Sequence, residues 1–407
     1  MKYVIIGNSA AGIGCVEGIR QIDREGGIAV ITAEAHHTYS RPLISYLLKG
    51  KTDREKILYR RENFYSDNNC RLLKSTLVSA IEPEEKQVVL SNEEKIPYDK
   101  LLVSTGSRAF IPAFEGLSSV KDKFTFMSLD DAIGLEKSLD KYKRVLIVGG
   151  GLIGLKCAEG IRDKVAHVTV LDLAERIMSS ILDDGGAEIM QRHIECNDIS
   201  FRLGASIKRF ESNSAFLENG DVIEFDILVL AVGVSPNDEL LNGIADTDRG
   251  IAVNEKSQTT APGIYAAGDC TKSFDISSGH NKNMALLPNA YMQGECAGIN
   301  MAGGEKTFDK AIPMNAIGFF GKHIITAGNY SGDVYSEEHP GGYKRIFYGN
   351  NRLNGYILIG NIEKAGIYTS LIREQTPLDT IDFELICKQP RLMAFAKDER
   401  MSKIGGV

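Results

Sequence analysis

Cysteine pairs are missing from this chain of 407 residues. Its seven cysteines form no C-x-x-C or C-x4-C pair and stand far apart, at Cys15, Cys70, Cys157, Cys196, Cys270, Cys296 and Cys387. This spacing excludes a sequence-local redox disulfide and an iron–sulfur ligand set. The seven histidines are equally scattered and show no metal-ligand spacing. We therefore expect reduced thiols in a reducing compartment and no bound metal.

Excess positive charge and long apolar runs are also missing. The net charge of -7 disfavours nucleic acid as the main partner. No apolar run reaches the length that spans a bilayer, and residues 1–20 begin a strand and a glycine turn instead of a signal peptide. We expect a cytoplasmic protein with no membrane partner. Tryptophan is absent, but 43% hydrophobic residues and 41 glycines suit an α/β chain of several domains.

Glycine is concentrated behind an apolar run near the start of the chain, in Gly7-Asn8-Ser9-Ala10-Ala11-Gly12. Glycines let a backbone approach a pyrophosphate at a helix N-terminus, and Gly7 and Gly12 fit the first and third glycine of such a turn. Ser9 stands at the position of the middle glycine. Because serine is small, we expect the turn still to bind a pyrophosphate. Glu34 is predicted to end the next strand, where it would accept hydrogen bonds from a ribose.

The same pattern returns in the middle of the chain. The apolar run 145–148 leads into Gly149-Gly150-Gly151-Leu152-Ile153-Gly154, which has all three glycines. Asp172 is predicted to close the next strand, where an acid binds the 2′-hydroxyl of NADH and repels the 2′-phosphate of NADPH. No arginine follows this acid directly, although Arg176 lies four residues further on. The second turn therefore favours NADH.

Internal repetition predicts the domain order. The first copy ends in a strand and Ser104-Thr105-Gly106, and the second ends in a strand and Ala231-Val232-Gly233. A third element, Gly263–Asp269, must return to the first domain to meet the same ligand. We predict an α/β fold with two Rossmann-like dinucleotide-binding domains, the second inserted in the first, plus a C-terminal α+β domain. The predicted domains are 1–110 with 237–308, then 111–236, and finally 309–407.

These motifs together resemble the two-dinucleotide-binding flavoprotein reductases over nearly the whole chain. The resemblance implies FAD at the first turn, NADH at the second and hydride transfer between them. Gly268-Asp269 looks like the motif whose Asp holds the ribityl or phosphate end of FAD, and residues 290–300 resemble the helix under the flavin. The residues expected to bind the dinucleotides are the turn residues and the groups at the strand ends: Gly7, Ser9, Ala10, Ala11, Gly12, Glu34, Arg41, Val78, Thr105, Gly106, Gly149, Gly151, Leu152, Ile153, Gly154, Asp172, Gly233, Gly268 and Asp269.

The subclass depends on the run Ser40-Arg41-Pro42-Leu43-Ile44-Ser45-Tyr46. Family members that use a disulfide place a cysteine where Arg41 stands, so dithiol exchange and cysteine peroxide chemistry are not expected here. The run is instead similar in part to the R-P-P-L-S-K of reductases that serve small iron–sulfur proteins, with Leu43 in place of the second Pro and Tyr46 in place of the Lys. Arg41, Pro42 and Tyr46 are candidate catalytic residues around the flavin, and the charge of Arg41 is expected to stabilise reduced flavin. The alternative is that they are ordinary residues at a helix start.

Lys156 is a fourth candidate catalytic residue. It stands where family members often carry Glu, near the expected nicotinamide. A cation there would change the affinity for nicotinamide or the flavin potential. The alternative is a lysine whose stem packs along the helix while its head stays in water.

The C-terminal part is similar to the terminal domain of NADH:rubredoxin oxidoreductases, which also occurs in the flavin portion of NADH-dependent nitrite reductases. We predict strands there at 324–327, 345–348 and 355–359 and a helix at 363–373. The resemblance implies electron transfer from NADH through FAD to a small iron–sulfur carrier such as rubredoxin or ferredoxin. The alternatives are an electron-transfer subunit of a larger oxidoreductase, an NADH oxidase, and an FAD-bound sensor.

The expected partners are NADH and an electron acceptor or partner subunit, with a homodimer as a further possible assembly. Two locally basic stretches are candidate docking surfaces for an acidic carrier, and the alternative is that they are solvated faces. Their cations are Lys49, Lys51, Arg54, Lys56, Arg60 and Arg61 in the first stretch, and Lys388, Arg391, Lys397, Arg400 and Lys403 in the second.

Overall fold

Short strands alternate with helices at the start of the computed structural model, which describes residues 1–395. The first elements are, in chain order, β1 (Lys2–Ile6), α1 (Ala10–Ile22), β2 (Gly27–Ile31), α2 (Ile44–Leu48), α3 (Phe64–Asp67), β3 (Cys70–Leu73), β4 (Val78–Glu82), β5 (Gln87–Leu90), β6 (Lys95–Pro97), β7 (Lys100–Val103) and β8 (Ser107–Ala109). A 3-10 turn, Arg41–Leu43, leads directly into α2.

The middle of the chain repeats this alternation. Its elements are β9 (Lys123–Phe124), α4 (Leu129–Ser138), β10 (Arg144–Val148), α5 (Leu152–Ile161), β11 (His167–Leu171), α6 (Asp184–Glu195), β12 (Ile199–Arg202), β13 (Ile207–Glu211), β14 (Ser214–Leu217), β15 (Val222–Glu224), β16 (Ile227–Leu230) and β17 (Val234–Pro236).

The last part first returns to the initial sheet and then builds an antiparallel one. Its elements are β18 (Ile251–Ala252), β19 (Ile264–Ala266), β20 (Thr271–Asp275), β21 (His280–Asn283), α7 (Leu287–Met301), β22 (Met314–Phe319), β23 (Lys322–Gly328), β24 (Asp333–His339), β25 (Gly342–Gly349), β26 (Arg352–Ile359), α8 (Ala365–Arg373) and α9 (Phe383–Lys388).

Two parallel sheets carry the two glycine turns. Their strand orders are β19-β7-β1-β2-β3 and β12-β11-β10-β16-β9. β1 and β10 are central, pair in parallel on both sides and are almost entirely buried, which explains their unbroken apolar runs. The chain enters the second sheet after β7 and returns to the first after β16. The predicted pair of Rossmann-like domains, one inserted in the other, is confirmed.

By its contacts the described chain divides into two compact units. The first unit, Met1–Ser273 with Asn283–Phe308, holds both parallel sheets. The second unit consists of Phe274–Lys282 and the residues from Asp309 onward. The three-domain boundaries predicted from the sequence remain a prediction. Within residues 1–395, no helix has both the length and the apolar character needed to cross a bilayer.

The second unit is an antiparallel sheet of order β22-β23-β26-β25-β24 with α8 packed on it through a buried apolar cluster. The three predicted strands lie in β23, β25 and β26, and the predicted helix begins at Ala365. Sequence reasoning missed β22 and β24. Both are edge strands of this sheet. Most residues of β24 are exposed and polar, so β24 lacks the apolar signature of a central strand, whereas β22 carries apolar residues of which only Phe319 is buried.

In the first unit, α1 and α7 pack with their backbones in close contact. A Cβ added at Gly298 of α7 would lie 2.2 Å from the carbonyl oxygen of Cys15, and one at Gly294 would lie 2.0 Å from that of Ala11. Gly18 of α1 faces the backbone of α7 in the same way. Glycine is required at these positions because each backbone occupies the space of a side chain on the other helix. This contact fixes α7 against the helix that follows the first glycine turn.

We expect Gly298→Ala to destabilise the protein by about 1–3 kcal/mol, because the methyl group overpacks the helix contact. Thermal unfolding followed by circular dichroism measures the loss. Gly366→Ala in α8 is the matched control, since among residues 1–395 no atom outside its own helical turn lies within 4 Å of its added Cβ, and we expect it to be neutral or slightly stabilising. Equal melting temperatures for both variants would contradict the proposed contact.

Candidate functional site

A cleft of about 500 Å³ opens at the first glycine turn, a volume typical of cofactor sites. It lies at the carboxyl ends of β1, β2, β7 and β19, where open α/β sheets bind their ligands. The sequence-predicted residues that line it come from the glycine turn and these strand ends: Gly7, Ser9, Ala10, Ala11, Glu34, Arg41, Val78, Thr105, Gly106, Gly268 and Asp269. The sequence prediction and the geometry therefore point to one place.

The glycine turn is held by close backbone contacts. Gly7 has φ +117°, and a Cβ there would lie 2.0 Å from the carbonyl oxygen of Ser104. Gly12 is not part of the cleft lining and stands behind the turn, where a Cβ would lie 2.2 Å from the oxygen of Gly7. The two glycines therefore have different tasks. Gly7 seats the turn on the end of β7, and Gly12 lets α1 approach the turn.

The N-terminus of α1 has no side-chain cap and is therefore open to a ligand. Ser9 is the N-cap residue, but its hydroxyl caps no backbone N–H group of the helix. The N-cap side chains of α4 and α6, Ser128 and Asp183, do accept such hydrogen bonds. The first N–H groups of α1 are thus left for an anion, which the helix dipole also attracts. A dinucleotide pyrophosphate fits this position.

Arg41 joins the walls of the cleft. Its guanidinium donates to Glu34 Oε1 at 2.5 Å, to the Tyr39 hydroxyl at 3.2 Å and to Ser9 Oγ at 3.3 Å. The Tyr39 hydroxyl also donates to Glu34 Oε2 at 2.8 Å. Glu34 lies three residues beyond the end of β2 at Ile31, so its prediction as the end of the strand was wrong. The charge of Arg41 stands at the glycine-turn end of the cleft.

Asp269 also lines the cleft, after a tight backbone turn at Gly268. The Gly268 N–H donates to Gln293 Oε1 at 2.8 Å, which ties the turn to α7. Burial raises the pKa of Asp269 above its usual range, and the charge of Arg41 opposes that rise. The cysteine that follows, Cys270, is buried, and burial raises the pKa of its thiol to about 11. The thiol is therefore protonated at neutral pH and is a poor nucleophile.

The second glycine turn repeats the geometry of the first. Gly149 has φ +119°, and a Cβ there would lie 2.2 Å from the carbonyl oxygen of Ala231, while one at Gly154 would lie 2.0 Å from the oxygen of Gly149. Gly151 precedes α5, and its added Cβ has no neighbour within 4 Å. Leu152 and Ile153 form the first turn of α5, whose N-cap side is open to an incoming phosphate.

Asp172 follows β11 directly, beside this turn. Its Oδ2 accepts from the Gly150 N–H at 2.5 Å, and its Oδ1 accepts from the Ala174 N–H at 2.8 Å. The carboxylate is thereby fixed in direction and linked to the glycine turn. Gly233 lies between β16 and β17, three residues beyond the end of β16 at Leu230. It has φ +134°, and its carbonyl oxygen accepts from the Phe110 N–H at 3.0 Å. These groups surround one strand edge.

Pro42, Tyr46 and Lys156 lie outside the lining of the first cleft. Pro42 is exposed at the 3-10 turn, and the exposed ring of Tyr46 has Lys156 Nζ 4.8 Å from its centroid. The Lys156 side chain is 13% exposed and pairs with Glu159, which also pairs with Lys49 at 3.1 Å. The alternative of a Lys156 head in water is therefore wrong. Tyr46 stands in place of the Lys of the R-P-P-L-S-K pattern, and Lys156 stands in place of the family's Glu. These two replacements meet at the contact of α2 with α5.

Three of the six cations of the first basic stretch form ion pairs within the protein. Lys56 pairs with Asp53 at 2.7 Å, and Arg60 pairs with Glu17 at 2.7 Å, in addition to the Lys49 pair. In the second stretch Lys388 pairs with Glu384, and Lys397, Arg400 and Lys403 lie outside the described residues. Because these cations are paired, the structure supports electrostatic docking of an acidic carrier less than the number of basic residues in the sequence does.

Sequence reasoning missed two groups of residues. Asn237, Glu239 and Leu240 line the first cleft, although they follow the second domain in the chain. The available signal was their position where the chain returns to the first domain. Glu159 was also missed, because its role depends on the packing of α5 against α2.

Comparison with known proteins agrees with this geometry. The family model described as pyridine nucleotide-disulphide oxidoreductase matches residues 1–294. The epsilon subunit of NADH-dependent phenylglyoxylate dehydrogenase from Aromatoleum evansii is 31% identical over 93% of this chain and 92% of its own length. NADH-rubredoxin oxidoreductase from Clostridium acetobutylicum is 28% identical over 93% of this chain and 96% of its own length. Two longer relatives are matched over 48% and 49% of their length.

Among solved structures, the covalent putidaredoxin reductase–putidaredoxin complex is similar, with a TM-score of 0.89. The match covers 100% of this chain and 99% of the other at 22% identity. At this identity the likeness shows the fold alone.

We expect Arg41→Met to weaken FAD binding about 10- to 100-fold, or about 1.4–2.8 kcal/mol, because the cleft loses its cation and Glu34 loses its ion-pair partner. The fluorescence of FAD released from diluted holoprotein measures the change. Arg54→Met, at an exposed position, is the control and should retain FAD as the unaltered protein does. Equal FAD release from both variants would remove Arg41 from the site.

We expect Asp172→Asn to lower the preference for NADH over NADPH about tenfold or more, because the isosteric amide removes the charge that repels a 2′-phosphate. The ratio of kcat/KM for the two nucleotides, with ferricyanide as acceptor, measures the preference. Asp163→Asn, at an exposed position beyond the far end of α5, is the control. A ratio that stays constant would show that Asp172 does not face the ribose.

Proposed function

Because this chain belongs to the pyridine nucleotide-disulphide oxidoreductase family, we propose that it passes electrons from NADH through FAD to a small iron–sulfur carrier such as rubredoxin or a ferredoxin. It is an NADH-dependent flavin oxidoreductase with FAD and NADH as its cofactors. The acceptor and the roles of individual residues are the proposed part.

One observation carries the proposal. Two glycine turns with matching backbone contacts lie at equivalent places in two parallel sheets of one compact unit, and Arg41 stands where a redox cysteine would be needed. Cys157 of α5 is fully buried, and burial raises the pKa of its thiol. The chain thus offers places for two dinucleotides without a thiolate relay between them. Electrons must leave toward an external acceptor.

The residues of the first cleft have separable roles. The free N–H groups of α1 bind the pyrophosphate, and Arg41 adds positive charge at the same end. Glu34, held by Arg41 and Tyr39, accepts hydrogen bonds from a ribose. Asp269 bonds the ribityl or phosphate end. When bound, FAD supplies the connection between a two-electron donor and one-electron acceptors.

The residues of the second turn bind and orient NADH. The N-terminus of α5 takes the pyrophosphate, and Asp172 takes the ribose 2′-hydroxyl. NADH gives up one hydride, two oxidised carriers each take one electron, and one proton is released to water. Tyr46 and Lys156 lie at the contact of α2 with α5. There Glu159 pairs with Lys156 and holds its charge over the Tyr46 ring.

A second candidate is an electron-transfer subunit of a larger oxidoreductase. The full-length match to an epsilon subunit of a dehydrogenase favours it. The two candidates share the cofactor chemistry and differ in the acceptor, which is a diffusing carrier in one case and a permanent partner in the other. Direct reduction of oxygen to water is disfavoured by the absence of a cysteine at position 41. We propose a cytoplasmic location for either form, with a homodimer as the assembly to test.

Anaerobic stopped-flow mixing with NADH tests the proposal. We expect NADH to bleach the flavin absorbance rapidly, and the reduced protein to give its electrons to rubredoxin or ferredoxin much faster than to oxygen. Alkylation of the accessible thiols, of which Cys196 is exposed, should leave both steps unchanged because no thiolate takes part.

Three results decide against this reading. A flavin that NADH fails to bleach indicates a sensor. Rapid reoxidation by oxygen alone indicates an oxidase, and slow transfer to every free carrier together with a co-purifying metal subunit selects the subunit form.

A further inference from the structure

The two passages of the chain between the parallel sheets run side by side. The outgoing passage contains β8 and the returning passage contains β17, and these strands pair antiparallel from Ala109 with Val234 to Ser107 with Pro236. We call this two-stranded element the ribbon. It is the covalent connection of the inserted sheet to the first sheet. Its geometry therefore affects how the second glycine turn faces the first cleft.

Asn237, directly after β17, fastens the ribbon at its base. Its backbone N–H donates to the Gly106 carbonyl at 3.0 Å, and its own carbonyl accepts from Thr105 Oγ1 at 2.6 Å. Its Nδ2 donates to the Thr105 carbonyl at 3.0 Å, and its Oδ1 accepts from Arg108 at 2.7 Å. The side chain therefore bridges Thr105, before β8, and Arg108, within β8. No other residue type offers a donor and an acceptor at this reach in the same planar group.

The fastened segments also form a wall of the first cleft. Thr105, Gly106 and Ser107 from the outgoing passage line it, as do Asn237 and Glu239 from the returning one. Glu239 forms a further ion pair with Arg108 at 2.5 Å, although both side chains are more than half exposed, so this pair adds little by itself. The same few residues thus contact the flavin site and hold the connection to the inserted sheet.

We propose that Asn237 is a positioning residue for hydride transfer, which fixes the ribbon so that NADH on the inserted sheet meets the flavin in the first cleft. The inference rests on the proposed reduction of flavin by NADH. Hydride transfer requires the two rings to be placed closely, and a displacement of about 1 Å costs about 100-fold in rate. Loss of the side-chain bridge leaves the strand pairing and the backbone hydrogen bonds in place. The bound FAD is retained, but the direction of the inserted sheet becomes less defined.

The test compares two routes of flavin reduction in the holoprotein. For Asn237→Ala we expect the limiting rate of flavin bleaching by NADH to fall about 10- to 100-fold, with a small change in the dissociation constant for NADH. Photoreduction of the same flavin by light and EDTA, followed by mixing with ferricyanide, should proceed as in the unaltered protein. Asn237→Asp loses the donor to Thr105 but keeps the acceptor for Arg108 and adds a charge that attracts this guanidinium, so we expect a smaller loss than for Asn237→Ala.

Asn242→Ala is the matched control. Asn242 is exposed five residues further along and accepts a hydrogen bond from the Thr247 hydroxyl away from the ribbon. It should leave both routes unchanged.

Every other pattern overturns the inference. Equal bleaching rates for Asn237→Ala and the unaltered protein show that the bridge does not position NADH. Equal slowing of both routes, release of FAD, or failure of both Asn237 variants to fold assigns the residue a purely structural role, as does an equal loss for Asn242→Ala. Failure of the proposed function is distinct, because NADH then fails to bleach the flavin of the unaltered protein.

Discussion

The seat of each glycine turn on the end of the neighbouring strand is the constraint from which the rest of the site follows. At Gly7 and Gly149 the backbone approaches the next strand's carbonyl so closely that no side chain fits, and both residues have a positive φ. This contact places the N-terminus of the following helix at the carboxyl edge of the sheet. The uncapped N-terminus of α1 then faces the first cleft instead of a neighbouring side chain.

The duplication gives two such edges, and the differences between them separate two roles. The first edge carries Ser9, Arg41 and Glu34 in a hydrogen-bonded wall, and helix α7 packs behind it through glycine contacts with α1. The second edge carries open space at Gly151 and a carboxylate, Asp172, fixed by two backbone N–H groups. The first edge thus presents a hydrogen-bonded wall beside a cleft, and the second presents an open glycine turn beside a fixed carboxylate.

The motifs that sequence reasoning recovered are those in which one residue type has one physical explanation. A glycine between an apolar strand and a helix predicts a close backbone approach, and an acid beyond the next strand predicts a ribose partner. Lys156 shows where this reasoning ended. Its sequence position allowed a solvated head. Glu159 follows three residues later in α5, but only the packing of α5 on α2 placed Lys156 against Tyr46. The polar edge strand β24 escaped prediction because edge pairing needs no apolar alternation.

The sequence by itself determined the two parallel sheets and their glycine turns, because each depends on local residue chemistry at short spacing. Only the tertiary structure decided that Asn237 and Glu239 join the first cleft and that Arg41 stands between Ser9 and Glu34. These contacts join residues that are distant in the chain. Their partners are chosen by how the sheets and helices pack, which no local pattern encodes.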